Sequence, residues 1–142
     1  MKVPIGCDHA GYDLKEKVKS WLEANGFEVD DKGAYSSESV DYPDFGHAVA
    51  KTVVAEGIKG IVICGSGNGI NMTVNKYAEI RSALCWTKEI AELARQHNNA
   101  NVVAIPARFI SEDVALSIVD AFFNTEFEGG RHERRVNKIA CS

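Results

Sequence analysis

The sequence predicts a single doubly wound α/β domain: a five-stranded parallel sheet in the order 2-1-3-4-5, helices on both faces, and a C-terminal arm helix. Three observations carry this. Short apolar runs alternate along the chain with segments whose apolar residues recur at helical spacing. The connections between them are short, as expected where each helix returns the chain to the next parallel strand. The most apolar run, Ile61-Val62-Ile63, has no polar alternation, which marks a strand covered on both faces.

The elements follow in order. Lys2 to Cys7 reads as the first strand, and the polar Asp8-His9-Ala10-Gly11 ends it. From Tyr12 to Asn25, Leu14, Val18, Trp21 and Leu22 share one helical face, with Lys15, Glu16, Lys17 and Lys19 placed elsewhere; Asn25-Gly26 is a common helix end. Phe27 to Asp30 gives a short second strand, followed by a polar loop from Asp31 to Tyr42. Pro43 suits a first helical turn, and Phe45, Ala48, Val49, Thr52 and Val53 form a stripe that runs to Gly57. After Ile61 to Cys64 and its glycines, a helical run is expected from Asn71 to Tyr77. Ser82 to Cys85 is a fourth strand, and Thr87 caps a helix that buries Ile90, Leu93 and Ala94 and ends near His97. Asn101 to Ile105 is the fifth strand, and Ser111 caps a helix carrying Val114, Ile118, Val119 and Phe122. Residues 126–142 depart from this plan. Glu128-Gly129-Gly130 breaks the helix, and Arg131 and Arg135 then lie four apart on one face, either able to reach a single anion or part of a solvated basic helix, the commoner case for such a run.

Composition bounds the function. A chain of 142 residues is long enough for one domain with a real core and too short for two comfortable ones. Its net charge of −4 argues against a nucleic-acid or membrane-surface partner, and no apolar run approaches a membrane span. With no leader of the export type after Met1, a cytoplasmic protein is expected. Cys7, Cys64, Cys85 and Cys141 show no C-x-x-C spacing, so they read as free thiols, Cys7 and Cys85 as small buried hydrophobes.

Cys64 differs, because Gly65-Ser66-Gly67-Asn68-Gly69 follows it. Alternating glycines bring bare N–H groups close to a guest, and a helix opening behind them favours an anion and a thiolate. The loop is neither G-x-G-x-x-G nor a P-loop, and it reads either as a tight strand-to-helix connection or as a ligand site. In a doubly wound sheet, ligands bind at the carboxyl ends of the strands flanking the switch in direction, here Cys7-Asp8-His9 and Cys64 to Gly69. A thiol on an N–H-rich loop, an Asp-His pair, a further His97 and a pair of arginines fit proton abstraction beside the carbonyl of a phosphorylated sugar.

Gly6-Cys7-Asp8-His9-Ala10-Gly11, Asp41-Tyr42-Pro43, Ile63 to Ile70, Asn75-Lys76, Arg95-Gln96-His97-Asn98 and Glu128-Gly129-Gly130-Arg131-His132 together resemble the type B ribose-5-phosphate isomerases, in order and spacing along the whole chain. The wider family includes allose-6-phosphate and galactose-6-phosphate isomerases. The resemblance implies a Rossmann-like fold and an aldose-ketose isomerase working through a cis-enediolate, without metal or other cofactor. Cys64 then corresponds to the base acting between C1 and C2, His97 to the group that helps open the furanose ring, and Asp8 to a group on the sugar oxygens. Gly65, Ser66, Gly67, Asn68 and Gly69 line the site with Tyr42, and Asn98 contacts the sugar. His9, Arg108, Arg131 and Arg135 fall where the family binds phosphate. One branch uses a carboxylate just after the last loop glycine; here that residue is Ile70, which points to the cysteine mechanism. The resemblance also implies a homodimer or dimer of dimers with shared sites, the arm of residues 126–142 reaching the partner. The alternatives are a six-carbon sugar phosphate as substrate, or a non-catalytic module binding a sugar phosphate or nucleotide.

Overall fold

The computed structural model describes residues 1–141. The strands are β1 (Lys2–Cys7), β2 (Glu28–Asp31), β3 (Gly60–Cys64), β4 (Ser82–Leu84) and β5 (Val102–Pro106). The helices are α1 (Tyr12–Ala24), α2 (Tyr42–Glu56), α3 (Asn68–Val74), α4 (Lys88–Asn98), α5 (Glu112–Asn124) and α6 (Arg131–Val136). All strand pairings are parallel, as expected from strands joined through helices. Among the described residues, no helix is long and apolar enough to cross a membrane.

The doubly wound class is as read from the sequence, but the strand order is 2-1-3-5-4 rather than 2-1-3-4-5. Burial accounts for the exchange. All five residues of β5 are buried, while β4 is three residues long and only half-buried, so β5 takes the interior position and β4 the edge. Right-handed crossovers then decide the layers. Because the chain steps back from β4 to β5, α4 lies on the face of α1 and α5, packed over Val3, Ile5, Ile61, Ile63, Val103 and Ile105. The other face belongs to α2 and α3, over Val62, Cys64, Val102 and Ala104.

Helix boundaries follow the local signals. Thr87 and Ser111 accept the N–H groups of Ile90 and Val114, and Gly57 ends α2 at a φ of 64°. Three details depart from the sequence reading. The helix after the glycine loop begins at Asn68 rather than Asn71, so its first turn lies inside the loop. Leu93, expected inside, is exposed, and the buried face of α4 is Ala91, Ala94 and Arg95. Arg95 tolerates burial because its guanidinium donates to the carbonyls of Thr125 and Ala100 and to Asn99 Oδ1.

The third departure is Lys15, placed by its charge on the outer face yet fully buried. Its ammonium donates to Asp31 Oδ1 and to the Ala34 carbonyl, each at 2.7 Å, and lies 5.4 Å from the Tyr12 ring centroid and 5.3 Å from that of Tyr35. Lys15 thus ties α1 to the end of β2 and to the loop leading to α2. Burial alone would raise the Asp31 carboxyl, but hydrogen bonds from Lys15, Lys19 and the Gly33 N–H outweigh it and hold the pKa below its usual value. Such a group adds stability above the ordinary carboxylate range, and loses it as pH falls through its lowered folded-state value. Lys15→Met should therefore cost roughly 3 kcal/mol of unfolding free energy at neutral pH, as for a broken buried pair. In urea titrations the deficit should shrink under acid; a variant as stable as the parent at pH 7 would contradict the role assigned to the pair.

Candidate active site

Strand register builds the first cluster. β1 and β3 pair Cys7 with Ile63, and the Asp8 N–H continues the ladder to the Ile63 carbonyl, so Asp8 stands beside Cys64. On the other side β5 pairs Pro106 with Cys64, and Ala107 and Arg108 donate their N–H groups to the carbonyls of Cys64 and Gly65. The Arg108 side chain lies against Gly65, where a Cβ would come within 3.2 Å of its Nη1. Three strand ends thus gather Cys64, Asp8, His9 and Arg108 at the switch in winding direction.

The glycine loop closes over the thiol. Gly67, at a φ of 77°, turns the chain into α3, a conformation costly for a residue with a Cβ. Gly69 lies within the first turn of α3 under the Tyr42 ring, where a Cβ would sit 2.5 Å from two ring carbons. The N–H groups of Ile70, Gly67 and Gly69 act on the Cys64 sulfur. Ser66 and Asn68 are exposed on the outer edge, the Asn68 N–H on Ser66 Oγ. Asp8 is 8% exposed and accepts the Gly11 N–H at 3.1 Å. His9 Nδ1 accepts the Val40 N–H at 3.2 Å, which in the neutral ring leaves the proton on Nε2.

The thiol does not follow the electrostatic expectation drawn from the helix entrance. Burial pushes the Cys64 thiol up, and Asp8 adds to this; the N–H groups of Ile70, Gly67 and Gly69 oppose the rise without cancelling it. Cys7 and Cys85 are pushed up to about 12, mainly by burial, Cys7 in spite of Lys15 and the Ala34 N–H and Cys85 with nothing to oppose it. Cys64 is 5% exposed and the other two are sealed, so it is the one of the three with both an opening and donors.

A second cluster forms elsewhere. α4 runs antiparallel to the strands, so its last residues, His97 and Asn98, lie by the amino ends of β3 and β5, where the Gly60 N–H donates to the Asn101 carbonyl. α6 packs on this end of α4, bringing in Arg131 and Arg135. The His97 and His132 rings stack with centroids 4.2 Å apart and planes 11° from parallel. Glu128 Oε1 lies 3.5 Å from His132 Nε2 and 3.9 Å from His97 Nε2. A cavity of about 520 Å³ opens here, taking in Asn98, Lys76, Arg81 and Ile139 but not Cys64.

The residues singled out in the sequence therefore fall into two groups. Cys64, Asp8, His9, Tyr42, Gly65 to Gly69 and Arg108 are together at the carboxyl ends of the strands. His97, Asn98, Arg131 and Arg135 are together near the amino ends. The eleven residues of α4 span about 16 Å at 1.5 Å per residue, so one chain does not unite Cys64 with His97. The phosphate set is divided likewise, His9 and Arg108 from Arg131 and Arg135. Sequence reasoning assigned nothing to Glu128 or to the His132 ring, since their spacing from His97 carries no local signal. Folding places ligand atoms of His97, Glu128 and His132 within 4.8 Å of one another. The lone pairs of the stacked rings run nearly parallel, so a tetrahedral ion would require the rings to turn apart.

The sequence profile of the family described as Ribose/Galactose Isomerase matches residues 3–139. The chain belongs to this family. It is 44% identical over 141 residues to ribose-5-phosphate isomerase B of Escherichia coli strain K12, covering 99% of this chain and 95% of that protein. It is also similar to the crystal structure of a ribose 5-phosphate isomerase from Thermotoga maritima, with a TM-score of 0.96 and 48% identity, covering 98% of this chain and 97% of that one. The ribose-5-phosphate isomerase B of Mycoplasma genitalium, solved with bound ribulose-5-phosphate, superposes with a TM-score of 0.93 at 41% identity, covering 97% and 93% of the two chains. The family resemblance read from the motifs thus holds over nearly the full chain.

A thiol raised by burial reacts slowly until the pH approaches its pKa. Alkylation of Cys64 by iodoacetamide, followed by peptide mapping to separate it from exposed Cys141, should keep accelerating beyond about pH 8.5, the ordinary thiol value. A plateau near pH 7 would show that the three N–H groups outweigh burial.

Proposed function

We propose that this protein interconverts ribose 5-phosphate and ribulose 5-phosphate, with Cys64 as the base. The observation that carries the chemistry is the Cys64 sulfur facing the N–H groups of Gly67, Gly69 and Ile70, with Asp8 at its side. The full-length likeness to type B ribose-5-phosphate isomerases, one of them solved with bound ribulose-5-phosphate, supports the pentose as substrate.

In this reading the Cys64 thiolate takes the proton from C2 of the open aldehyde sugar. The electron pair moves into a C1–C2 double bond and onto O1, giving a cis-enediolate whose oxygens face the loop N–H groups. The proton returns to C1, and the O2 proton passes to O1 with Asp8 close to both oxygens. Nothing is added or lost. Holding an enediolate with preorganised N–H donors matters most at the transition state, because the same donors face a weaker dipole in the ground state. Tyr42 and Asn98 would contact the sugar, and His9, Arg108, Arg131 and Arg135 the phosphate.

His97 would open the furanose, and its position supports a site shared between two chains. With Cys64 and His97 at opposite ends of one sheet, a complete site needs two copies of the chain. A homodimer or a dimer of dimers, with α6 and the end of α4 of one copy laid against the thiol of the other, supplies each site with both groups. Residues 126–142 are the arm that reaches across. The protein would act in the cytoplasm, and no membrane or nucleic acid enters the reaction.

Turnover of ribose 5-phosphate by chelator-treated protein, with allose 6-phosphate alongside, checks the reaction and its substrate. The pentose should be turned over faster, and Cys64→Ala should lower kcat by at least about a hundredfold, the contribution of a positioned base. Full activity of Cys64→Ala, or turnover of the hexose alone, would overturn the assignment.

A further inference from the structure

α6 is six residues long, too short to hold its helical form unaided, and its one buried residue is His132. Docking of α6 on α4 thus passes through the His132 ring, which lies flat against His97. Gly129 and Gly130, at φ of 71° and 57°, make the turn that brings it there. Glu128 is fixed independently, its N–H donating to the Gln96 carbonyl at 3.1 Å. One carboxylate oxygen therefore faces the Nε2 atoms of both imidazoles.

We propose that His132 and Glu128 are positioning residues for His97: the stacked ring sets the plane of the His97 imidazole, and the carboxylate holds on it the proton used in ring opening. This rests on the reading of His97 as the ring-opening group. Two imidazoles in van der Waals stacking repel each other when both are charged, so a proton on one disfavours a proton on the other. The groups facing it are Glu128 from the connecting segment and Arg131 and Arg135 from α6. Burial, His97 and Arg131 keep the His132 pKa below its usual value, against the pull of Glu128. In ring opening the bond from C1 to the ring oxygen breaks, its electron pair takes the imidazolium proton, and the O1 proton lost as the carbonyl forms passes to the neutral imidazole and restores the imidazolium.

The chemistry allows a test that separates ring opening from enolisation. Ribose 5-phosphate is chiefly a furanose, whereas ribulose 5-phosphate has no free hydroxyl with which to close such a ring. Deuterium wash-in at C1 of ribulose 5-phosphate therefore needs Cys64 but not ring opening. At saturating substrate, H132A should lower ribose 5-phosphate turnover about tenfold or more while wash-in stays within about twofold, and H132F, which keeps a flat ring, should recover most of the loss. E128Q, at a half-exposed position compatible with an unchanged fold, should move the limb of the ribose 5-phosphate pH profile set by the histidine pair to lower pH. Its wash-in profile should not move. Equal losses of turnover and wash-in in H132A, no difference between H132A and H132F, or an unmoved limb in E128Q would overturn the proposal. A parent protein showing neither turnover nor wash-in would instead remove the isomerase reading beneath it.

Discussion

In a parallel sheet every covering helix runs back against the strands, so the end of a strand and the end of the helix that follows lie at opposite edges of the layer. That constraint governs this molecule. Cys64 closes β3 and His97 lies in the last turn of α4, separated by about the length of α4, roughly 16 Å. Small shifts of loops cannot span it. If both groups serve one reaction, the geometry of the sheet itself requires a second chain. The symmetric oligomer is then part of the chemistry and more than a means of adding stability.

Within the first half-site, the same sheet supplies precision. Placing β5 beside β3 lets two strands end on either side of the thiol, so Asp8 and Arg108 arrive by backbone register rather than by flexible loops. The glycine loop then brings three N–H groups to the sulfur at the cost of a left-handed residue and a Tyr42 ring pressed onto Gly69. Burial and these donors oppose one another. In the empty site burial prevails and the Cys64 pKa stays above its usual value; were Cys64 the base, the same donors would turn to the enediolate oxygens as charge moves. Cys85 shows what burial does without that counterweight.

Much of this was legible in the sequence, and the limits have physical causes. Alternating patterns revealed the elements because burial on one face leaves a period, and the caps at Thr87 and Ser111 are chemical signals local to the chain. The motifs singled out the candidate residues of both clusters. The exchange of β4 and β5 was not, since it turns on how deeply each strand is buried relative to the other. Lys15 was misplaced because charge normally predicts exposure, and its partners Asp31 and Ala34 come from another element. Glu128 and His132 gain meaning only when α6 folds onto α4. What the sequence concealed most fully was that the residues it singled out divide between two edges of the sheet.

Mixing two inactive variants tests that division most directly. Cys64→Ala and His97→Ala, each with little turnover alone, should recover activity when unfolded together and reassembled. Random pairing makes half the dimers mixed, and each mixed dimer has one intact site, so about one quarter of wild-type activity is expected for a site shared across a two-fold axis. No recovery, with mixed dimers demonstrably formed, would mean that each chain carries its own complete site and would contradict the account.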